Sequence, residues 1–251
     1  MKKLIYILIV LFSLSGCEDN LDLEPISSVS SSTFYNNKDE CQLALNGIYN
    51  VIGGSDLYGK SLGITSAYGT DEALYARENQ NWSFATYTFN ASTKELEKVW
   101  MSLYRAINNA NILLSKVGNA NFSSDKDVQE IIAQARFLRA FCYYELVKRW
   151  ENVPLRLEVV ETLEQANNIK ASSAEAVYLF IIDELEEIAP SLELPKSGSI
   201  GKATRTACWG LLARVYLSKA GYPIQHEPTE SYKKVEEYCD NIINSGVHSL
   251  N

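Results

Sequence analysis

Between Thr93 and Val117 apolar side chains recur at alternating steps of four and three: Leu96, Trp100, Leu103, Ile107, Ala110, Leu114 and Val117. On a 3.6-residue period these positions share one face, so the segment reads as a long helix with one side buried. Ser92-Thr93-Lys94-Glu95 fits a capping box at its start, and Gly118 closes it. Such a stripe needs covering, and the chain supplies candidates on both sides. The spacing predicts a helix over 38–52 with Leu43, Gly47, Ile48 and Val51 on one face, stopped by Gly53-Gly54. Another runs over 126–150 with Val128, Ile131, Ala135, Leu138, Cys142 and Leu146 inward. A fourth spans 173–189, after a second capping box in Ser172-Ser173-Ala174-Glu175, with Val177, Tyr178, Ile181, Leu185 and Ile188 as its stripe. A fifth spans 204–220, and a sixth spans 230–245 with Val235, Cys239, Ile242 and Ile243 inward. No long segment alternates as a half-buried strand would. The fold class is therefore all-α, and modest loops between consecutive helices favour antiparallel pairs of a tetratricopeptide-like kind. Trp209, Gly210, Ala213, Tyr216 and Tyr232 are spaced loosely as in such repeats.

Charge and composition remove several functions. The net charge is −8, and loss of the first 16 residues would leave 21 basic against 31 acidic groups. A nucleic-acid backbone would be repelled over most of that surface. The chain has two histidines, His226 and His248, which excludes metal sites and triads built on several histidines. No phosphate-binding loop, nucleophile elbow or cofactor fingerprint is present. Asp71, Glu72 and Glu78 supply carboxylates, but no recognisable motif places a partner for any of them. A binding protein without cofactor is expected rather than an enzyme.

The first residues read as an address. Met1-Lys2-Lys3 is a basic start, and Leu4–Leu14 is an apolar run too short to span a ~30 Å hydrocarbon core. The ending Leu14-Ser15-Gly16-Cys17 resembles the lipobox of bacterial lipoproteins. That resemblance implies a signal peptide over 1–16, lipid on Cys17 and membrane attachment through it. Glu18-Asp19 is similar to an acidic surface-export signal, and equally reads as a solvated tether. Residues 17–37 form the tether and lead-in, and 38–251 the helical domain. The cysteines 41, 142, 208 and 239 form no CxxC pair, and sequence chooses no disulfide among them.

Six blocks in order carry a more specific likeness. They are Leu21-Asp22-Leu23-Glu24-Pro25; Leu43-Ala44-Leu45-Asn46-Gly47-Ile48-Tyr49; Thr70-Asp71-Glu72-Ala73; Trp100 with Leu103–Asn108 and Ala110-Asn111; Ala135–Val147 continuing to Val153-Pro154-Leu155; and Gly201-Lys202-Ala203-Thr204 before Leu212–Leu217. Together they resemble the SusD/RagB family of Bacteroidetes surface lipoproteins. The resemblance implies an outer-membrane, outward-facing protein that captures glycans for a SusC-like TonB-dependent transporter. It also implies that this chain corresponds to the N-terminal half of a member. A helical scaffold that binds protein and has lost glycan binding is the alternative.

The stretch 53–92, expected as a long loop, holds seven aromatic residues in forty, about 18% against 11% for the whole chain. Long loops concentrate function. A flat ring can cover the C–H face of a pyranose, while amide, carboxylate and guanidinium groups fork between hydroxyls. In the family such contacts come from the segment before the second long helix. Carried over, this makes Trp82 the stacking platform, Asp71, Arg77 and Asn81 the hydroxyl partners, and Tyr75 or Tyr87 secondary rings. The alternative for Phe84, Tyr87 and Phe89 is packing of the loop onto the scaffold. Arg136 and Arg139 are expected in structural ion pairs, and Glu184, Glu186 and Glu187 on a solvated helix face.

Overall fold

The computed structural model describes residues 34–71, 82–160, 162, 164, 165, 169–196 and 201–249. The signal segment, Cys17 and most of the tether lie outside the described residues. The first helix, α1 (Lys38–Gly53), starts where side chains satisfy free N–H groups. Asn37 Oδ1 accepts the Glu40 N–H at 3.0 Å, and the Glu40 carboxylate accepts from the Asn37 amide at 2.9 Å and the Asn36 N–H at 2.7 Å. The helix buries Cys41, Leu45 and Ile48, whereas Leu43 is 62% exposed and Gly47 faces open space. The expected face was therefore rotated: Ile48 lies in both stripes, but Cys41 and Leu45 complete the observed one.

The chain then folds back on itself through 54–62. The Gly59 N–H donates to Gly54 O at 2.9 Å, and a Cβ on Gly59 would sit 2.9 Å from backbone atoms of Gly53 and Gly54. A glycine is required there by that approach. Beyond it come α2 (Ser61–Ala67), α3 (Trp82–Ala85), α4 (Lys94–Lys116), α5 (Asp125–Trp150), α6 (Ala174–Ile188), α7 (Arg205–Ala220) and α8 (Pro228–Asn244). The expected structureless connection 53–92 thus contains two short helices among its described residues.

Neighbours in sequence are neighbours in space: α4 packs on α5, α5 on α6, α6 on α7 and α7 on α8, with α1 against both α4 and α5. This is the expected tetratricopeptide-like pairing. Residues from Tyr35 onward make one compact unit. The described residues hold no strand, and two isolated bridges, Asn37–Asn121 and Val153–Ser172, pin loops. α5 lies innermost. It buries Ile131, Ala135, Leu138, Cys142 and Leu146 as expected, and also Tyr143, Tyr144 and Val147 on other faces.

Two start signals shift. At α4 the N-cap is Thr93, without a side-chain cap bond, because its Oγ1 accepts the Asn90 N–H at 3.0 Å. At α6 the N-cap is Ser173, whose hydroxyl accepts the Ala176 N–H at 3.2 Å, while the Ser172 N–H is spent on Val153 O at 3.0 Å.

Arg139, 8% exposed, donates through Nη2 to Glu184 Oε2 at 2.7 Å and through Nη1 to Asn111 Oδ1 at 2.8 Å. Arg136 donates to the other Glu184 oxygen at 2.9 Å and to Glu187 at 2.6 Å. The arginines are structural, as expected, but Glu184 is not on a solvated face: it is buried between two guanidinium groups. Removing one partner of such a buried pair costs about 3–5 kcal/mol. Glu186 and Glu187 are exposed, as expected, and Glu186 in addition accepts hydrogen bonds from Tyr216 (2.9 Å) and Tyr238 (2.7 Å). That convergence turns α8 so that Ser231 and Tyr238 are buried. Cys239 is exposed and Ile243 71% exposed, against the inward face expected.

Candidate functional site

The far end of α5 braces the segment after α1. Glu145, 1% exposed, is paired with Lys148 at 2.6 Å and with Arg149. Arg149 Nη2 donates to Ser66 Oγ of α2 at 2.9 Å. The Tyr58 ring packs on Phe141 at 5.6 Å. Burial and the adjacent Glu145 charge raise the Tyr58 pKa. Burial lowers that of Lys148, the Glu145 contact opposing it. The sequence signal for this brace is weak: a polar triplet, Glu145-Lys148-Arg149, at helical spacing near the helix end.

On this support α2 ends at Ala67, and Thr70 Oγ1 donates back to Ala67 O at 2.8 Å. Across from it α3 is closed by a left-handed cap. The Thr88 N–H donates to Ser83 O at 2.9 Å and the Tyr87 N–H to Phe84 O at 3.4 Å, with Tyr87 at φ 55°. This cap usually carries glycine at the left-handed position. Tyrosine there is held by its hydroxyl, which donates to Gly69 O, and a Cβ on Gly69 would lie 3.7 Å from the Tyr87 ring. Phe84 is buried and stacks on Phe89 at 5.2 Å, anchoring the turn. Tyr87 itself remains 71% exposed and Phe89 43% exposed.

Of the six residues expected to meet sugar, Asp71 and Tyr87 are exposed. Asp71 is exposed two residues beyond Gly69, against which the Tyr87 ring lies. Trp82 opens α3. Tyr75, Arg77 and Asn81 lie outside the described residues. Phe84 follows the packing alternative, whereas the Tyr87 ring is displayed rather than packed away.

A second aromatic cluster joins α4 to the end of α5. Trp100 meets Trp150 edge-on at 5.1 Å and Tyr104 at 4.9 Å, and the Arg156 guanidinium lies 5.4 Å above the Tyr104 ring. Tyr104 donates to Pro154 O at 2.8 Å, tying the strap after α5 to α4. Long separation in sequence hid this corner. Among the described residues no cluster of His, Cys, Asp or Glu could hold a metal ion, and no helix is long and apolar enough to cross a membrane.

The family described as SusD-like, starch-binding associating with outer membrane, matches residues 19–217. A SusD-like protein P25 of Formosa agariphila is 23% identical over 99% of this chain and 47% of its own length. The starch-binding protein SusD of Bacteroides thetaiotaomicron is 27% identical over 92% of this chain and 42% of its own length. A crystal structure of a SusD homologue from Bacteroides thetaiotaomicron superposes with a TM-score of 0.76 at 28% identity, covering 88% of this chain and 43% of that one. A laminarin-binding SusD-like protein shares the fold at a TM-score of 0.71 and 20% identity, covering 86% and 46%. The chain spans about half the length of the curated relatives it matches.

Proposed function

The chain belongs to the SusD-like family, and from that premise we propose that it captures oligo- or polysaccharide at the cell surface without cleaving it. In this reading it is a lipoprotein anchored through Cys17 to the outer membrane, facing outward, and hands its glycan to a SusC-like TonB-dependent transporter. The observation that carries it is Tyr87: an exposed ring kept in a left-handed backbone conformation beside Gly69, two residues from the exposed carboxylate of Asp71. A ring and a carboxylate suit a pyranose, the ring taking the apolar C–H face and the carboxylate accepting from hydroxyls. Trp82, Tyr75, Arg77 and Asn81 would extend the same surface. The relatives named for starch or laminarin binding support a glycan as ligand class.

The test is retardation in native gels cast with a panel of polysaccharides. Wild type is expected to be slowed by at least one glycan, and Tyr87→Ala and Trp82→Ala to lose most of that retardation. Unchanged migration of both variants would remove this surface from the binding site.

A second reading is favoured by α8. Tyr232 (50%) and Ile243 (71%) leave apolar surface open along one side with Cys239. In that reading the chain is a scaffold for another protein; co-purification with the transporter, with no polysaccharide retention, would favour it.

A further inference from the structure

A cleft of about 360 Å³ lies where the end of α6 meets α7 and α8, apart from the Tyr87 surface in sequence and made wholly of described residues. Its lining includes Glu186, Pro190, Arg205, Trp209 and Tyr238. We infer that this cleft is a second sugar subsite, seating one pyranose ring of a glycan against Trp209; the inference rests on the glycan-capture reading above.

The argument is preorganisation. Glu186 Oε1 is held by the hydroxyls of Tyr216 at 2.9 Å and Tyr238 at 2.7 Å, which fixes the carboxylate and leaves Oε2 without a hydrogen bond among the described residues. The Arg205 guanidinium is fixed by backbone: Nε donates to Leu192 O at 2.9 Å and Ala189 O at 3.1 Å, and Nη2 to Pro190 O at 2.7 Å. Its Nη1 makes no such bond. Trp209 is half-buried, so its ring is seated, and its indole N–H also lacks a partner among the described residues. The cleft therefore presents a ring seated by packing, with an acceptor on Glu186 and a donor on Arg205 positioned by bonds that no ligand has to make. A sugar entering it would not bear the cost of ordering those side chains. A mostly apolar concavity with a few fixed polar groups is the usual form of a small-ligand site, and this volume is at the lower end of that range. A ring plus directional acceptor and donor matches a pyranose better than a purely apolar or purely ionic ligand. Two subsites on one chain would also give a polymer avidity that neither gives alone.

The experiment is the same gel panel, cast with starch, laminarin, xylan, mannan or pectin and run with Glu186→Gln, Trp209→Ala, Trp209→Phe and Tyr87→Ala. Circular dichroism on each variant reports folding. Trp209→Ala and Glu186→Gln are expected to weaken retention roughly fivefold each, from the loss of a ring contact or of a charged acceptor, with Trp209→Phe intermediate. Retention equal to wild type in both Glu186→Gln and Trp209→Phe, with loss in Tyr87→Ala, overturns the cleft and leaves the glycan reading intact. Loss in the cleft variants with none in Tyr87→Ala upholds the cleft and overturns the Tyr87 surface. No retardation of wild type on any glycan overturns both. Should Trp209→Ala unfold, the two conservative variants decide.

Discussion

Tyr87 adopts φ 55° in a turn that a glycine would close with less strain. A left-handed conformation costs an L-residue about 1–2 kcal/mol, and bulky side chains are rare there. Its ring is mostly exposed, so burial recovers little of that cost. On the proposed glycan surface, that strain would be offset by the display of the ring to a ligand. Tyr87→Gly is accordingly expected to raise the thermal midpoint slightly, the gain from the relaxed cap exceeding the loss of the bond to Gly69, while lowering glycan retention. A calorimetric scan and a native gel on the same sample check the two signs; a lower midpoint would make the ring a structural anchor. None of this was readable at residue 87 in advance. The aromatic richness of 53–92 marked the neighbourhood, but the left-handed cap depends on which carbonyls the turn after α3 leaves free.

At the scale of elements, the long helices start and stop within a few residues of where their apolar periods predict them. α5 and α7 match within a residue at each end, because caps and periods are local physics. Errors sit where two neighbouring residues compete for one role. Ser92 was expected to cap α4, but Thr93 stands at the cap with its hydroxyl turned back to the Asn90 N–H, and Ser172 was expected at α6, but the Ser173 hydroxyl takes the Ala176 N–H. Ser173→Ala should therefore lower stability by about 1 kcal/mol, and Ser92→Ala should be nearly neutral, as read from urea midpoints. Equal effects would return the cap to the capping-box register. The buried faces of α1 and α8 differ from those their spacing predicts for a different reason. Both carry apolar residues on more than one side, so periodicity leaves the choice of face to the neighbours that cover it.

For the whole molecule, acid–base behaviour follows from what the fold buries. Tyr178 is pushed up to about 12 by burial, and Tyr49, Tyr58, Tyr104, Tyr143, Tyr216 and Tyr238 are raised by burial first as well. A folded-state pKa above the ordinary tyrosine value of about 10 means that the folded chain holds these protons more tightly. Their contribution is complete below about pH 10 and is lost as pH rises through the folded values. On the acid side, Lys126 and then Lys196 hold Glu193 at about 2, and Arg136 lowers Glu187. Those contributions are present above the ordinary glutamate value of about 4.3 and are lost as pH falls toward 2, but both groups are exposed and screened. Urea midpoints are thus expected to fall steeply above about pH 10 and only shallowly below about pH 4. A flat alkaline arm would mean that the tyrosines titrate freely in the folded chain.

The sequence by itself determined the helical class, the order of the long helices, the approximate ends of each and the region where rings accumulate, since all of these follow from spacing and caps within one segment. The tertiary structure alone decided the partners. Glu184 lies buried between Arg136 and Arg139, Glu186 gathers two tyrosines from α7 and α8, and Tyr87 stands over Gly69. Such pairings join residues tens of positions apart. Their energies depend on burial and geometry, quantities that exist only once the helices have packed.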